Sequence, residues 1–439
     1  MNQILSNAFE YNVPTHTCFV DLKKAYDTVN RPALWQVLRQ VGLSTKVQRL
    51  LRDLHTNTRS CIRAYGTTSD FFEVNNGVRQ GCVLAPSLFN IFLDHIIRTA
   101  ISTVPDGITL RYTTNGQLHI SINPSPDDLE QLIQILAYAD DMAIVCDSAD
   151  GLERLVTRLD EVCQAWQLDI STSKTEVMTV DRDFTFQQTD DDESKHSDDS
   201  SDDEPTAPSA PKITLRGVPL KVVNKFKYLG RTFTSDLSMD SEISLRIEKA
   251  TASFYRLAAP LYRRPEISTR SKCRIYKATV IPTLLYGAET WPLKTCHTRR
   301  LETVQSRHLR YILGIRFATH GLVSNESIRK RCDVPSITTL LHQRRLRWLG
   351  HVGRMSHDRL PIIALHSRPN KKRLQGRPFT TWRQVINSDL RNIRQNDTWM
   401  ESAADRKNWR RLVMEPQQCL VRRSARLKKK AMNPRTQRY

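Results

Sequence analysis

The stretch that decides the reading is Leu136-Ala137-Tyr138-Ala139-Asp140-Asp141-Met142-Ala143-Ile144-Val145. Apolar runs flank a tight Asp-Asp pair, a pattern that predicts strand, turn, strand. Two carboxylates at a hairpin tip, outside both hydrophobic flanks, suit a hard divalent cation that takes oxygen ligands. Taken alone, such a pair reads first as a solvated turn. The decision therefore rests on what accompanies it.

Upstream, Cys18-Phe19-Val20-Asp21-Leu22-Lys23-Lys24-Ala25-Tyr26-Asp27 reads as an apolar strand ending in Asp21 and leading into a helix. Pro32 falls early in the helical stretch that continues through Trp35 and Leu38. An Asp at the end of a buried strand is compatible with metal binding and equally with helix capping. Between the two lies Asn75-Asn76-Gly77-Val78-Arg79-Gln80-Gly81-Cys82-Val83-Leu84-Ala85-Pro86-Ser87-Leu88-Phe89-Asn90, two glycines before a Pro-initiated apolar helix. Gly81 would let backbone approach a ligand closely, and Arg79 and Gln80 can reach phosphate or base edges. In isolation the stretch is a loop feeding a core helix.

Charge points to the partner. The net charge is +20, but residues 1–204 hold 17 Lys+Arg against 31 Asp+Glu, and residues 205–439 hold 49 against 15. A half with a net charge of +34 attracts a polyanion, nucleic acid or an anionic membrane surface. No apolar run approaches the roughly 18–20 residues of a spanning helix. Met1–Glu10 lacks the basic-then-apolar layout of a secretory signal. The nine cysteines are scattered, with no CxxC pair. A zinc site is therefore not expected, and a reducing compartment, nucleus or cytosol, is.

It is the order that overturns the separate ordinary readings. FVDLKKAYDTV, GVRQGCVLAPSLFNIFLD and LAYADD resemble polymerase motifs A, B and C as found in reverse transcriptases of non-LTR (LINE-type) retrotransposons. Leu168-Asp169-Ile170 with Lys174-Thr175-Glu176-Val177-Met178 is similar to motif D, and Phe226-Lys227-Tyr228-Leu229-Gly230 to motif E, the primer grip. TLLYGAETW (283–291), LRYILGIR (309–316), RRLRWLGHVGRM (344–355) and QGRPFTTW (375–382) resemble tail segments of the same elements. Val83 and Ala85 stand where the family more often has Pro and Ser.

The resemblance implies an α+β fold: a polymerase palm, an antiparallel sheet with packed helices, followed by a helical thumb and a helical basic C-terminal region. On this reading residues 1–184 are the palm, 185–212 an acidic disordered insertion and 213–235 the primer-grip hairpin. A helical thumb follows at 236–320, a helical basic region at 321–417 and a basic disordered tail at 418–439. Helices are expected near 241–258 (ended by Ala259-Pro260), 268–287, 296–313, 336–354 and 378–394.

The implied activity is RNA-directed DNA polymerisation, adding dNTPs to a primer 3′-hydroxyl with two Mg²⁺ ions, or Mn²⁺. Asp21, Asp140 and Asp141 are the implied metal ligands, and Lys174 the residue that neutralises or protonates the leaving pyrophosphate. Tyr26 is the implied gate against a 2′-hydroxyl, and Arg79, Gln80 and Gly81 contact nucleotide or template. RNA template, DNA primer and dNTPs are the expected partners, a membrane is not, and the nucleus is the expected location. Trp291, Trp348 and Trp382 are candidates to stack bases. An N-terminal endonuclease and most of the fingers are expected to be absent. That leaves a second reading, an inert transposon-derived nucleic-acid-binding protein, and a third, a scaffold whose acidic tract and basic half regulate one another.

Overall fold

The structure is a computed structural model that describes residues 1–112, 129–181, 211–368, 380–395 and 398–414. The expected acidic tract, apart from its last two residues, and the basic tail lie outside the described residues, as does most of QGRPFTTW. The first half holds α1 (Asn2–Glu10), β1 (Thr15–Val20), α2 (Arg31–Gln40), α3 (Thr45–His55), β2 (Arg59–Ser60), β3 (Arg63–Ala64), β4 (Thr67–Thr68), β5 (Phe72–Glu73), α4 (Ala85–Ile101), β6 (Ile108–Tyr112), β7 (Leu129–Ile133), β8 (Ile135–Tyr138), β9 (Asp141–Cys146), α5 (Ala149–Ala165) and β10 (Glu176–Val180). After the acidic tract come β11 (Thr214–Leu215), β12 (Val218–Pro219), β13 (Lys221–Val222), β14 (Lys225–Tyr228) and β15 (Arg231–Thr234). The rest is mainly helical: α6 (Asp240–Arg256), α7 (Thr269–Leu284), α8 (Thr295–Leu313), α9 (Phe317–His320), α10 (Asn325–Cys332), α11 (Ile337–Val352), α12 (Leu360–His366), β16 (Ser367–Arg368), α13 (Trp382–Asn392), α14 (Trp399–Ala404) and α15 (Arg406–Met414).

A five-stranded sheet of order β13-β10-β1-β9-β8 organises the first half. β1 runs through its centre, antiparallel to β9 and β10. Alternation along the strands divides the sheet into two faces. Cys18, Val20, Met142, Ile144 and Val177 join one core with Leu34, Phe89 and Leu155 of α2, α4 and α5. Phe19, Ala143, Met178 and Val180 join another with Leu5 of α1, Tyr228 and Phe233. Both faces are covered, which is why β1 ends in three consecutive apolar residues, Cys18-Phe19-Val20, where a half-exposed strand would alternate. Each fully buried Leu, Ile or Phe contributes about 1.5–3 kcal/mol.

The helical region packs in two cores. One runs from Met239 through α6, α7 and α8 to Ile328, Cys332, Ile337 and Leu341. The expected boundary at 320 is therefore not a break in packing, because α10 and the start of α11 close the same core. The second core begins at Leu346 and collects Trp382, Trp399 and Trp409. α11 thus spans both. Gly350 and Gly353 leave room for the rings of Trp409 and Trp399 directly on the α11 backbone, where any Cβ would collide. The expected stop at Ala259-Pro260 is also revised. α6 ends at Arg256 and a π-helical turn, Ala258–Tyr262, carries Pro260. The extra turn stacks Tyr262 on Phe254, ring centroids 4.5 Å apart.

Candidate active site

β1 and β9 pair with Val20 opposite Met142, so the next residues along, Asp21 and Asp141, reach the same edge of the sheet. β8 and β9 form the hairpin predicted around Asp140, with Tyr138 opposite Asp141 and a two-residue tip of Ala139 and Asp140. Ala139 adopts φ 52°, a left-handed conformation that costs a residue with a Cβ roughly 1–2 kcal/mol. Strain of this kind persists where surrounding structure over-determines it. Here the paired strands below do so.

Asp141 feels the other two carboxylates. Burial pushes the Asp141 carboxyl above its ordinary value, and the charges of Asp140 and Asp21 push it further in the same direction. Lys174 Nζ stands 3.6 Å from Asp21 Oδ2 and is largely exposed. Among the described residues no group of three or more His, Cys, Asp or Glu converges closely enough to hold a metal ion as it stands. The donor set is nonetheless all carboxylate oxygen, and its mutual repulsion is what a hard divalent cation relieves.

Asp21 is held through its backbone. Its carbonyl accepts from Ser171 N at 2.8 Å, Lys23 N donates to Asp169 O at 2.8 Å, and Leu22 bridges Ile170. No helix follows Asp21 directly. Residues 23–27 form turns and α2 starts only at Arg31, capped by Asn30, whose side chain accepts from Ala33 N. Asp21 therefore caps nothing. Tyr26 lies in these turns, its ring stacked on Phe89 at 4.6 Å. Burial, and then the Asp140 charge, raise its hydroxyl above its ordinary value, so the ring lies within electrostatic reach of the hairpin tip.

The Arg79–Gln80 loop lines a cleft of about 690 Å³ together with Lys24, Asp27, Arg31, Arg59 and Phe72. Gln80 Nε2 donates to Asp27 Oδ1 at 3.1 Å. Arg31 donates to Gly77 O, His55 O and Thr58 Oγ1, so it frames the cleft. Within the chain itself, the tight backbone approach in this loop is at Gly77. A Cβ on Gly77 would meet the Asp27 carbonyl oxygen at 2.6 Å, whereas around Gly81 nothing lies within 4 Å. Gly81 instead supplies a backbone at φ 82°.

A sequence profile for the family described as reverse transcriptase (RNA-dependent DNA polymerase) matches residues 5–233, more than half of the 439 residues. The chain belongs to the reverse transcriptase family. The expected non-LTR character is borne out by its relatives. The RNA-directed DNA polymerase from mobile element jockey of Drosophila funebris is 23% identical over 68% of this chain and 28% of its own length. The probable RNA-directed DNA polymerase from transposon X-element of Drosophila melanogaster is 23% identical over 85% of this chain and 36% of its own. This reverse transcriptase chain thus spans about a third of the length of those curated relatives. The solved apo telomerase of Candida tropicalis is 12% identical over 83% of this chain and 54% of its own, with a TM-score of 0.36. Membership rests on the sequence profile.

Reading the motifs alone missed the residue that ties the reverse transcriptase hairpins together. Tyr228 donates to Leu136 O at 2.9 Å and also reaches Asp141 O. Burial and the Asp141 charge push its hydroxyl up to about 12. Phe226 stacks on Phe19 of β1 at 3.9 Å. The aromatic spacing Phe226, Tyr228 on β14 was the available signal, since alternate residues of a strand face one side.

The tryptophan expectation is corrected. Trp291 is fully buried, and Trp382 is buried with Nε1 donating to Glu289 O at 2.6 Å. Trp348 packs half-buried against the second helical core. Trp291 and Trp382 join helices, because burying a large ring in a core outweighs leaving it free to stack. No helix among the described residues is long and apolar enough to cross a membrane.

Proposed function

We propose that this chain is the catalytic part of an RNA-directed DNA polymerase, adding dNTPs to a primer 3′-hydroxyl on an RNA template. The observation that carries this is the like-charged edge formed by Asp21, Asp140 and Asp141, with Asp141 raised by burial and then by its two neighbours. In this reading the sheet of residues 1–184 is the palm, 213–235 the primer grip and the helices that follow the thumb and basic region. Asp21, Asp140 and Asp141 would hold Mg²⁺, or Mn²⁺, which when bound supplies charge neutralisation for phosphoryl transfer.

The remaining roles belong to the chain itself. Lys174, beside Asp21, neutralises or protonates the leaving pyrophosphate as an exposed ammonium. Tyr26, stacked on Phe89, forms a wall against which a 2′-hydroxyl has no room. Lys24, Arg59, Arg79 and Gln80 on the cleft bind phosphates and base edges. Gly81 keeps the loop open to them. The basic half grips template and primer phosphates without reading sequence.

The test is primer extension on an RNA template with dNTPs and Mg²⁺ or Mn²⁺. Extension that disappears in Asp140→Ala supports the proposal. Template binding without extension overturns it in favour of a nucleic-acid-binding protein, the reading that the +34 charge of residues 205–439 supports by itself.

A further inference from the structure

A two-residue turn immediately after the acidic tract holds an arginine in an unusual place. Arg216 and Gly217, between β11 and β12, both have positive φ, 54° and 75°. Turns of that shape favour Asn-Gly or Asp-Gly, and an arginine there carries a steric cost. Arg216 nevertheless occupies it, and its guanidinium is fully engaged. Nε and Nη2 bind the buried Asp160 of α5 at 2.7 and 2.5 Å. Nη1 binds Asp169 Oδ1 at 2.8 Å. The other oxygen of Asp169 binds Lys23 Nζ at 2.7 Å. The hairpin is fixed to α5 a second time, where Glu153 Oε1 accepts from Thr214 N and Oγ1 at 2.9 and 2.6 Å.

Asp169 is the pivot. Its carboxylate takes Arg216 and Lys23, and its carbonyl takes Lys23 N. Two residues on, Ser171 N holds the Asp21 carbonyl. Residues 21–23 are thus registered against 169–171, and the planar fork of Arg216 sets the orientation of that segment from a rigid helix. A lysine could reach one carboxylate but not bridge both in this geometry.

We propose that Arg216 is a positioning residue that, through Asp169 and Lys23, sets the Asp21 end of β1 for the carboxylate site. The inference rests on the polymerase reading for its catalytic consequence but not for its effect on the site. It assigns to the segment after the acidic tract a function in the site, beyond completing the sheet.

The experiment uses the full chain and two readouts, Mn²⁺ binding without substrate and steady-state primer extension. Arg216→Met is expected to weaken Mn²⁺ binding about tenfold, the size typical of losing a residue that orients a ligand. It lowers kcat about tenfold or more and leaves KM for dNTP within about twofold. Arg216→Lys restores part of both. Lys23→Met added to Arg216→Met costs less than the two changes separately, because they share one network. Wild-type Mn²⁺ affinity in folded Arg216→Met overturns the proposal, as does a Lys variant no better than Met. If Arg216→Met does not fold, Asp169→Asn breaks the same link and is expected to weaken Mn²⁺ binding likewise. Unchanged binding in Asp169→Asn then overturns the idea. A wild-type chain that binds Mn²⁺ in an Arg216-dependent manner but extends no primer supports the positioning role while refuting the polymerase reading.

Discussion

Two carboxylate sites in this chain obey opposite rules. At the sheet edge, burial raises Asp141 and its neighbours Asp140 and Asp21 raise it further. Where α11 crosses α13, burial also pushes Asp389 up, but hydrogen bonds from His342 and Arg345 outweigh it and hold the carboxyl below its ordinary value. Asp389 accepts from Arg345 Nε at 2.6 Å and Nη2 at 3.1 Å, and lies 3.0 Å from His342 Nδ1. One site is satisfied from within the protein and ties helices. The other has the exposed ammonium of Lys174 3.6 Å from Asp21, and among the described residues no Lys or Arg forms a salt bridge with Asp140 or Asp141. A fold tolerates such an arrangement where the compensating charge arrives with a ligand.

Neutralising each site in turn separates the two roles. Asp140→Asn is expected to reduce primer extension by about 10³-fold or more, since an essential charge at the reacting centre is lost, while the unfolding midpoint holds or rises. Asp389→Ala leaves Arg345 buried without its carboxylate, a defect of about 3–5 kcal/mol in stability. Its extension rate per folded molecule stays at wild type. Urea unfolding and active-site titration of the same samples distinguish them. Equal losses of activity and stability in both variants would erase the distinction. A smaller effect lies between the sites: Tyr228→Phe removes the bond to Leu136 O and costs about 1 kcal/mol in urea unfolding.

The contrast also explains which parts of the molecule were legible in its sequence. The motif hairpin was, because apolar runs flanking Asp140 and Asp141 are a local signal. Helices expected at 268–287 and 336–354 form at Thr269–Leu284 and Ile337–Val352. Ser268 and Ser336 mark their starts by accepting from Ser271 N and Thr339 N. α12, α14 and α15 escaped because each spans only 6–9 residues, too few for a period to show. The networks escaped for a different reason. Lys23 and Asp169 are 146 positions apart, and only the sheet register brings them together. Trp291 and Trp382 misled because a tryptophan looks the same in sequence whether its ring faces solvent or a core.

The smallest expected effect is the sharpest test of the comparison, because its sign differs from ordinary intuition. Replacing a carboxylate that has good partners destabilises a protein, as at Asp389. Asp141 is the reverse case. Its folded carboxyl titrates above its unfolded value, so the unfolded chain ionises more readily and ionisation opposes folding. That penalty is fully present above the folded value and disappears below the unfolded one. Asp141→Asn without divalent cation is therefore expected to stabilise the chain at neutral pH, by less than about 1 kcal/mol once solvent screening is counted. The gain fades as pH falls through the carboxylate range. Adding Mg²⁺ reverses the order, because the cation stabilises only the carboxylate form. Urea midpoints of both proteins at neutral and acidic pH, with and without Mg²⁺, read this directly. A destabilised Asp141→Asn at neutral pH without metal would mean that the edge, like the helix crossing, is satisfied from within.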